Sequence, residues 1–201
     1  MASLLALGVD FIQLRDADAS DRALESFLDR LLRVAPAALG QILVNDRLAV
    51  ASGFPVAGVH LKETSLPLPD VRRAVGSRFL LGRSVHSVKG AEQAARAGAD
   101  YVLLGPAAPT GGKLPQPPGV FPAACRRSRA PVWAVGGLSP ETLPVLAGSG
   151  ISGVAAIGSF ATLERAQALR HAVREAAADG LFVADPGAGP GGDPGAGRGL
   201  P

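Results

Sequence analysis

The chain has a single cysteine, Cys125, so no disulfide can form within it. Its start, MASLLALGVD, lacks the long apolar run of a signal peptide or a membrane span, and the expected address is the cytoplasm. Dense runs of Lys and Arg are also missing. The 20 basic residues stand against 17 acidic ones, a net charge of +3, which argues for a solvated basic surface and against a nucleic-acid partner. A small-molecule partner is expected instead. Turn-forming residues, by contrast, are abundant: 26 Gly and 17 Pro exclude a coiled coil. With 47% hydrophobic and 18% charged residues the 201-residue chain is not wholly disordered, because a domain of this size buries roughly 70% of its unfolded surface.

From Met1 to about Ala178 a short run of Val, Ile and Leu is repeatedly followed by a polar or glycine-rich turn and then an Ala-, Leu- and Arg-rich stretch. Strands are expected at Val9 to Leu14, Gln41 to Val44, Ala57 to Leu61, Phe79 to Gly82, Tyr101 to Leu104, Val132 to Val135 and Gly153 to Ile157. Because these runs are continuous rather than alternating, both faces should be buried, as in a parallel sheet covered by helices. Ser20 or Asp18 can cap a helix whose stripe is Leu24, Phe27, Leu28, Leu31 and Leu32. Ser87 precedes a helix carrying the small residues Ala91, Ala94 and Ala95, and Ser139-Pro140-Glu141 reads as a cap, a first turn and an acidic residue. Residues 186–201 hold seven Gly and four Pro and are expected to be a disordered tail.

In repeated βα architectures ligands collect where the strands end, because the loops converge there. Gly136-Gly137 and Gly158-Ser159, after successive strands, suit a phosphate: glycine allows close backbone approach and free N–H groups donate to phosphate oxygens. Arg15 and Lys113 can clamp a second anion, or Arg15 can pair with Asp16 or Asp18 at the rim. Asn45-Asp46 can supply oxygen ligands to Mg²⁺ or simply cap a helix. His60 and His86, at or beyond strand ends, can move protons near neutral pH or serve structure, whereas His171 reads as a surface residue. The loop from Gly105 to Gly119, with five prolines and Thr110-Gly111-Gly112-Lys113, has the length of a ligand loop or lid.

The segments GVDFIQLRD, ILVNDRLAVA, GVHLKETSLPL, LLGRSVHSVKGAEQAARAGADYVLLGPAAPTGGK, APVWAVGGLSPE and GVAAIGSF, in this order, resemble the thiamine-phosphate synthase/TenI family over residues 1–178. The resemblance implies a TIM-type (βα)₈ barrel that binds a thiazole phosphate. Synthase members join that thiazole to hydroxymethylpyrimidine diphosphate with loss of pyrophosphate, while TenI-type members isomerise a thiazole carboxylate phosphate. Gln13, Arg15 and Asn45 match positions holding the pyrimidine diphosphate, and Asp46 matches a Mg²⁺ carboxylate. Ser84, Thr110 and Lys113 match further positions lining the synthase site, and Gly137 with the backbone around Ile157-Gly158 matches the phosphate cradle.

The chain departs from the family at four places. Ala17 replaces a diphosphate-contacting lysine, Ser65 in Lys62-Glu63-Thr64-Ser65 replaces the second metal carboxylate, and Gly112 replaces a threonine. Pro106 stands where TenI-type members carry the proton-transferring histidine. The Gly82–Ser87 run and the lost carboxylate nevertheless look like TenI, so the leading expectation is a TenI-like tautomerase. The synthase, with Mg²⁺, is the alternative, and a non-catalytic phosphate-ligand-binding regulator is the second. Candidate catalytic residues are Arg15, Ser84, His86 and Lys113, with His60 as a substitute base. A homo-oligomer is left open. The resemblance also lacks the family's first strand, and Leu181-Phe182-Val183-Ala184-Asp185 is expected to fill that slot as a closing strand after a barrel domain of residues 1–180.

Overall fold

A computed structural model describes residues 2–182 of the protein. Every expected apolar run overlaps a strand: β1 (Ile12–Leu14), β2 (Ile42–Asn45), β3 (Gly58–Leu61), β4 (Leu80–Val85), β5 (Tyr101–Leu104), β6 (Val132–Val135) and β7 (Gly153–Ala155). All are parallel and pair in chain order, the arrangement produced when each connection packs back across one face of the sheet. The connections carry α1 (Ala2–Ala6), α2 (Asp21–Val34), α3 (Leu48–Ser52), α4 (Leu68–Val75), α5 (Val88–Arg96), α6 (Val120–Arg127) and α7 (Leu163–Ala178). The architecture is α/β and TIM-like.

Two apolar layers hold it together. The larger one lies between sheet and helices and includes Leu28, Leu39, Ile42, Leu81, Leu104 and Leu169. The smaller one fills the concave face with Leu43, Tyr101 and Leu103, joined by Phe11, Leu80, Trp133 and Val135. Phe11, next to β1, stacks on Trp133 of β6 with ring centroids 6.1 Å apart. Two residues with four strands between them touch only if the sheet curls strongly, so this stack measures the curvature. Among the described residues β1 and β7 have no strand on their outer edges, while α1 packs against α7.

Local expectations fare differently. Ser20 and Ser87 cap α2 and α5 by accepting from Ala23 N–H (3.2 Å) and Gly90 N–H (3.0 Å). On α2, Leu24 and Leu28 are buried, but Leu32 is largely exposed, so the apolar stripe narrows at its C-terminal end. Strand β4 runs three residues beyond the expected Gly82, because β3 pairs with it as far as Arg83 and β5 as far as Val85. After β6 the expected helix is a 3₁₀ turn, Leu143–Leu146. Ser139 does not cap it: its hydroxyl donates to Glu141 Oε2 at 2.5 Å, and its N–H donates to Thr142 Oγ1 at 2.8 Å. Leu181 and Phe182 belong to the turn that ends α7 rather than to a strand. With Gly180 at φ +72°, Leu181 N–H reaches back to Ala176 O at 2.8 Å, a helix-terminating bond. Val183 to Asp185 and the Gly/Pro-rich stretch 186–201 lie outside the described residues.

Candidate active site

The centre of the concave face is built around one imidazole. Register places His60 beside Gly82 and Gly82 beside Tyr101, so the three share one layer. The His60 ring, almost fully buried, has Nδ1 3.1 Å from Tyr101 Oη and Nε2 2.8 Å from Ser84 Oγ. Burial lowers the His60 pKa to about 4; the Asp46 charge opposes the shift, and those of Arg83 and Arg15 add to it. Burial likewise raises the Tyr101 pKa, which keeps the phenol protonated. A protonated phenol donating to Nδ1 leaves Nε2–H to donate to Ser84, and the Ser84 proton is then free for a ligand.

At the mouth, Asp46 follows β2 with φ +58°, a left-handed conformation that costs an L-residue about 1 kcal/mol but that Asp tolerates better than most. Its N–H donates to His60 O at 2.9 Å, which fixes the turn. Both carboxylate oxygens are engaged. Oδ1 accepts from Lys62 N–H (3.1 Å) and Ser65 Oγ–H (2.5 Å), while Oδ2 accepts from Lys62 Nζ (2.8 Å) and Asn45 Nδ2 (3.3 Å). Burial tends to raise the Asp46 pKa, but the hydrogen bonds from Lys62 and Ser65 and the Lys62 charge outweigh it, and the net shift is downward. Loop 62–66 is itself held from below by Arg83. This buried guanidinium donates to the carbonyls of Lys62 (2.6 Å), Glu63 (3.3 Å), Ser65 (3.4 Å) and Leu66 (2.5 Å).

This donor set does not fit Mg²⁺. A divalent cation wants several free oxygens, whereas Asp46 spends its lone pairs on four donors, one of them an ammonium. Ser65, a hydroxyl, stands where the resemblance calls for a second carboxylate, and among the described residues no cluster of three or more His, Cys, Asp or Glu could hold a metal.

The glycine corners lie side by side, after the paired strands β6 and β7. Gly136 (φ +96°) and Gly137 (φ +69°) follow β6 in conformations that favour glycine, and a Cβ on Gly137 would meet Ala108 O at 2.6 Å. Ser159 Oγ–H donates to Leu138 O at 2.6 Å and ties the loop after β7 to the loop after β6. Among the described residues the N–H groups of Gly137, Gly158 and Ser159 have no backbone acceptor and are available to an anion. Ile157, just before Gly158, is 74% exposed.

The remaining candidates sit around the rim. Gln13 lies in β1 and the exposed Arg15 directly follows that strand. Thr110 and Lys113 exchange backbone hydrogen bonds of 3.2 and 2.9 Å, closing a tight turn, and Gln116 Nε2–H anchors the loop by donating to Gly105 O at 2.8 Å. His86 Nδ1 lies 2.7 Å from Glu63 Oε2, and Glu63 reaches the first turn of α5 at Gly90. That pair therefore lies over the helical layer, apart from the lumen where His60 and Ser84 meet.

The family model described as thiamine monophosphate synthase matches residues 1–160. The chain belongs to that family. A thiamine-phosphate synthase of Methanoculleus marisnigri is 38% identical over 181 residues, covering 86% of this chain and 86% of the relative. One from Roseiflexus castenholzii is 35% identical over 178 residues, covering 85% and 77%. The solved structure of a thiamine phosphate pyrophosphorylase from Pyrococcus furiosus superposes with a TM-score of 0.73 at 24% identity, covering 86% of this chain and 87% of that one; it supports the fold.

At this candidate site three residues have roles that no local sequence pattern shows. Lys62 is visible in GVHLKETS as a cation directly after β3, but nothing local marks it as the partner of Asp46. Arg83 reads as a strand-end cation, but its place inside β4 turns it outward beneath loop 62–66. Tyr101 reads as core. Its only signal is Gly82, the one strand position without a side chain in that layer.

Proposed function

We propose that this family member is a synthase: it joins hydroxymethylpyrimidine diphosphate to thiazole phosphate and releases pyrophosphate. The alkylation breaks the bond between the pyrimidine methylene and a diphosphate oxygen, whose electron pair departs with pyrophosphate. The lone pair of the thiazole ring nitrogen forms the new C–N bond and leaves a thiazolium. No proton is removed from carbon, so the reaction calls for cations near the leaving group and no strong base.

The observation that carries this reading is the commitment of both His60 nitrogens. A tautomerase must take a proton from carbon, yet Pro106 offers no base and the lumen imidazole is tied to Tyr101 and Ser84. His86 is paired with Glu63 at the rim. Cations are well supplied by Arg15, Lys62 and Lys113. The names of the relatives support coupling as well, ahead of the tautomerase expected from the Gly82–Ser87 run. In this reading the N–H groups of Gly137, Gly158 and Ser159 hold the thiazole phosphate, and Ser84 orients the pyrimidine.

Purified protein given both phosphorylated substrates decides the matter. Thiamine phosphate and pyrophosphate in equal amounts are expected. Isomerisation of the thiazole carboxylate phosphate without coupling returns the tautomerase, and saturable binding without turnover returns the regulator.

A further inference from the structure

The cluster at Asp46 combines two departures from a metal site that make sense only together. A carboxylate is missing at Ser65, and an ammonium is present at Lys62, 2.8 Å from the remaining carboxylate. One change removes a negative charge and the other adds a positive one, so the cluster is two charges more positive than a pair of carboxylates at the same positions. We propose that the Lys62 ammonium, held by Asp46, does the work of a divalent cation here, so that the site binds a diphosphate directly and without metal. This inference rests on the synthase reading of the mouth.

Three features make Lys62 a fixed charge rather than a loose surface lysine. Its backbone N–H and its ammonium both bind Asp46, one to each oxygen, so main chain and side chain are clamped by a single carboxylate. Ser65 adds a short third bond to that carboxylate. Arg83 pins four carbonyls of the loop from beneath, which leaves the Lys62 side chain, about half exposed, as the part that faces the mouth. An ammonium has three donors, and Asp46 uses one. Two remain for the oxygens of a diphosphate, which an ion of fixed position meets without reorganisation.

Calorimetric titration with inorganic pyrophosphate tests this, alongside Mn²⁺ uptake followed by electron paramagnetic resonance. In EDTA the wild type is expected to bind pyrophosphate saturably, and Lys62→Ala to bind it at least roughly tenfold more weakly, the usual cost of losing a charge-assisted hydrogen bond. Wild type is expected to leave added Mn²⁺ free. The variant Lys62→Gly/Ser65→Asp, which restores two carboxylates and removes the ammonium, is expected to take up Mn²⁺ and to need it for pyrophosphate binding. Thermal melts identify any variant that fails to fold, in which case the wild type and Lys62→Ala titrations decide alone. Pyrophosphate binding by wild type only with Mg²⁺ present, or Mn²⁺ uptake by wild type that Asp46→Asn abolishes, overturns the inference and leaves the synthase reading standing. Absence of pyrophosphate binding with and without metal overturns both.

Discussion

Tyr101 occupies the space that a side chain at position 82 would fill: a Cβ on Gly82 would collide with the ring and hydroxyl of Tyr101 and lie 2.6 Å from His60 Nδ1. The absence of one methyl group on β4 therefore permits the bond between β3 and β5 that orients the central imidazole. Gly82→Ala is expected to destabilise the fold by about 1 to 3 kcal/mol through overpacking and to lower coupling activity more than substrate concentration can restore. Urea melts and steady-state kinetics on the same preparation check both effects.

The low pKa of His60 gives stability a definite pH dependence. Unfolded, the ring titrates near 6.5; folded, near 4. Between those values the unfolded chain binds the extra proton, so stability is full above pH 6.5 and declines as pH falls towards 4. Its share of that loss is about 3 kcal/mol, at roughly 1.4 kcal/mol per pH unit. Unfolding free energies of wild type and His60→Gln at pH 7, 5.5 and 4 are expected to converge with acidification, since the variant lacks this proton.

Arg83 is expected to act on the mouth without touching ligand. Arg83→Met leaves four loop carbonyls short of a buried donor and should cost about 2 to 4 kcal/mol. In this variant limited proteolysis is expected to cut within residues 62–66, and KM for the diphosphate substrate should rise more than KM for the thiazole phosphate. An equal rise in both would mean that the loop does not serve the diphosphate.

The two glycine corners should respond differently to alanine. At Gly137 a methyl group meets Ala108 O and strains a positive φ, so Gly137→Ala is expected to lose stability and thiazole-phosphate affinity together. At Gly158 nothing lies within 4 Å of the added carbon. Gly158→Ala should melt within a degree or two of wild type, so any lost affinity measured by calorimetry reports on the anion site itself.

Seven strands and the caps at Ser20 and Ser87 were legible because each rests on local signals: an apolar run, or a hydroxyl three residues ahead of a free N–H. The left-handed turn at Gly136-Gly137 was legible for the same reason. What escaped depends on contacts between distant segments. The pairing of Ser84 with Leu103 lengthens β4 and carries Arg83 into it, and no local pattern announces that. Asp46 reads as a metal ligand until Lys62, sixteen residues on, is seen to hold both of its oxygens. The helix expected after Ser139 does not form because the Ser139 hydroxyl turns to Glu141 Oε2 and not to a backbone N–H, and Pro144, with no N–H to donate, leaves only the 3₁₀ turn Leu143–Leu146.

Among the described residues strand β7 has a single neighbour, and an outermost strand frays more readily than an inner one. The hydroxyl of Ser159 crosses from this margin to Leu138, which follows the better-supported β6. Breathing of the margin is thereby transmitted to the loops after β6 and β7 at once, since one hydrogen bond joins them. With the phosphate held there as proposed, one hinge-like bond would set product release, and its tempo would follow how often a lone serine lets go.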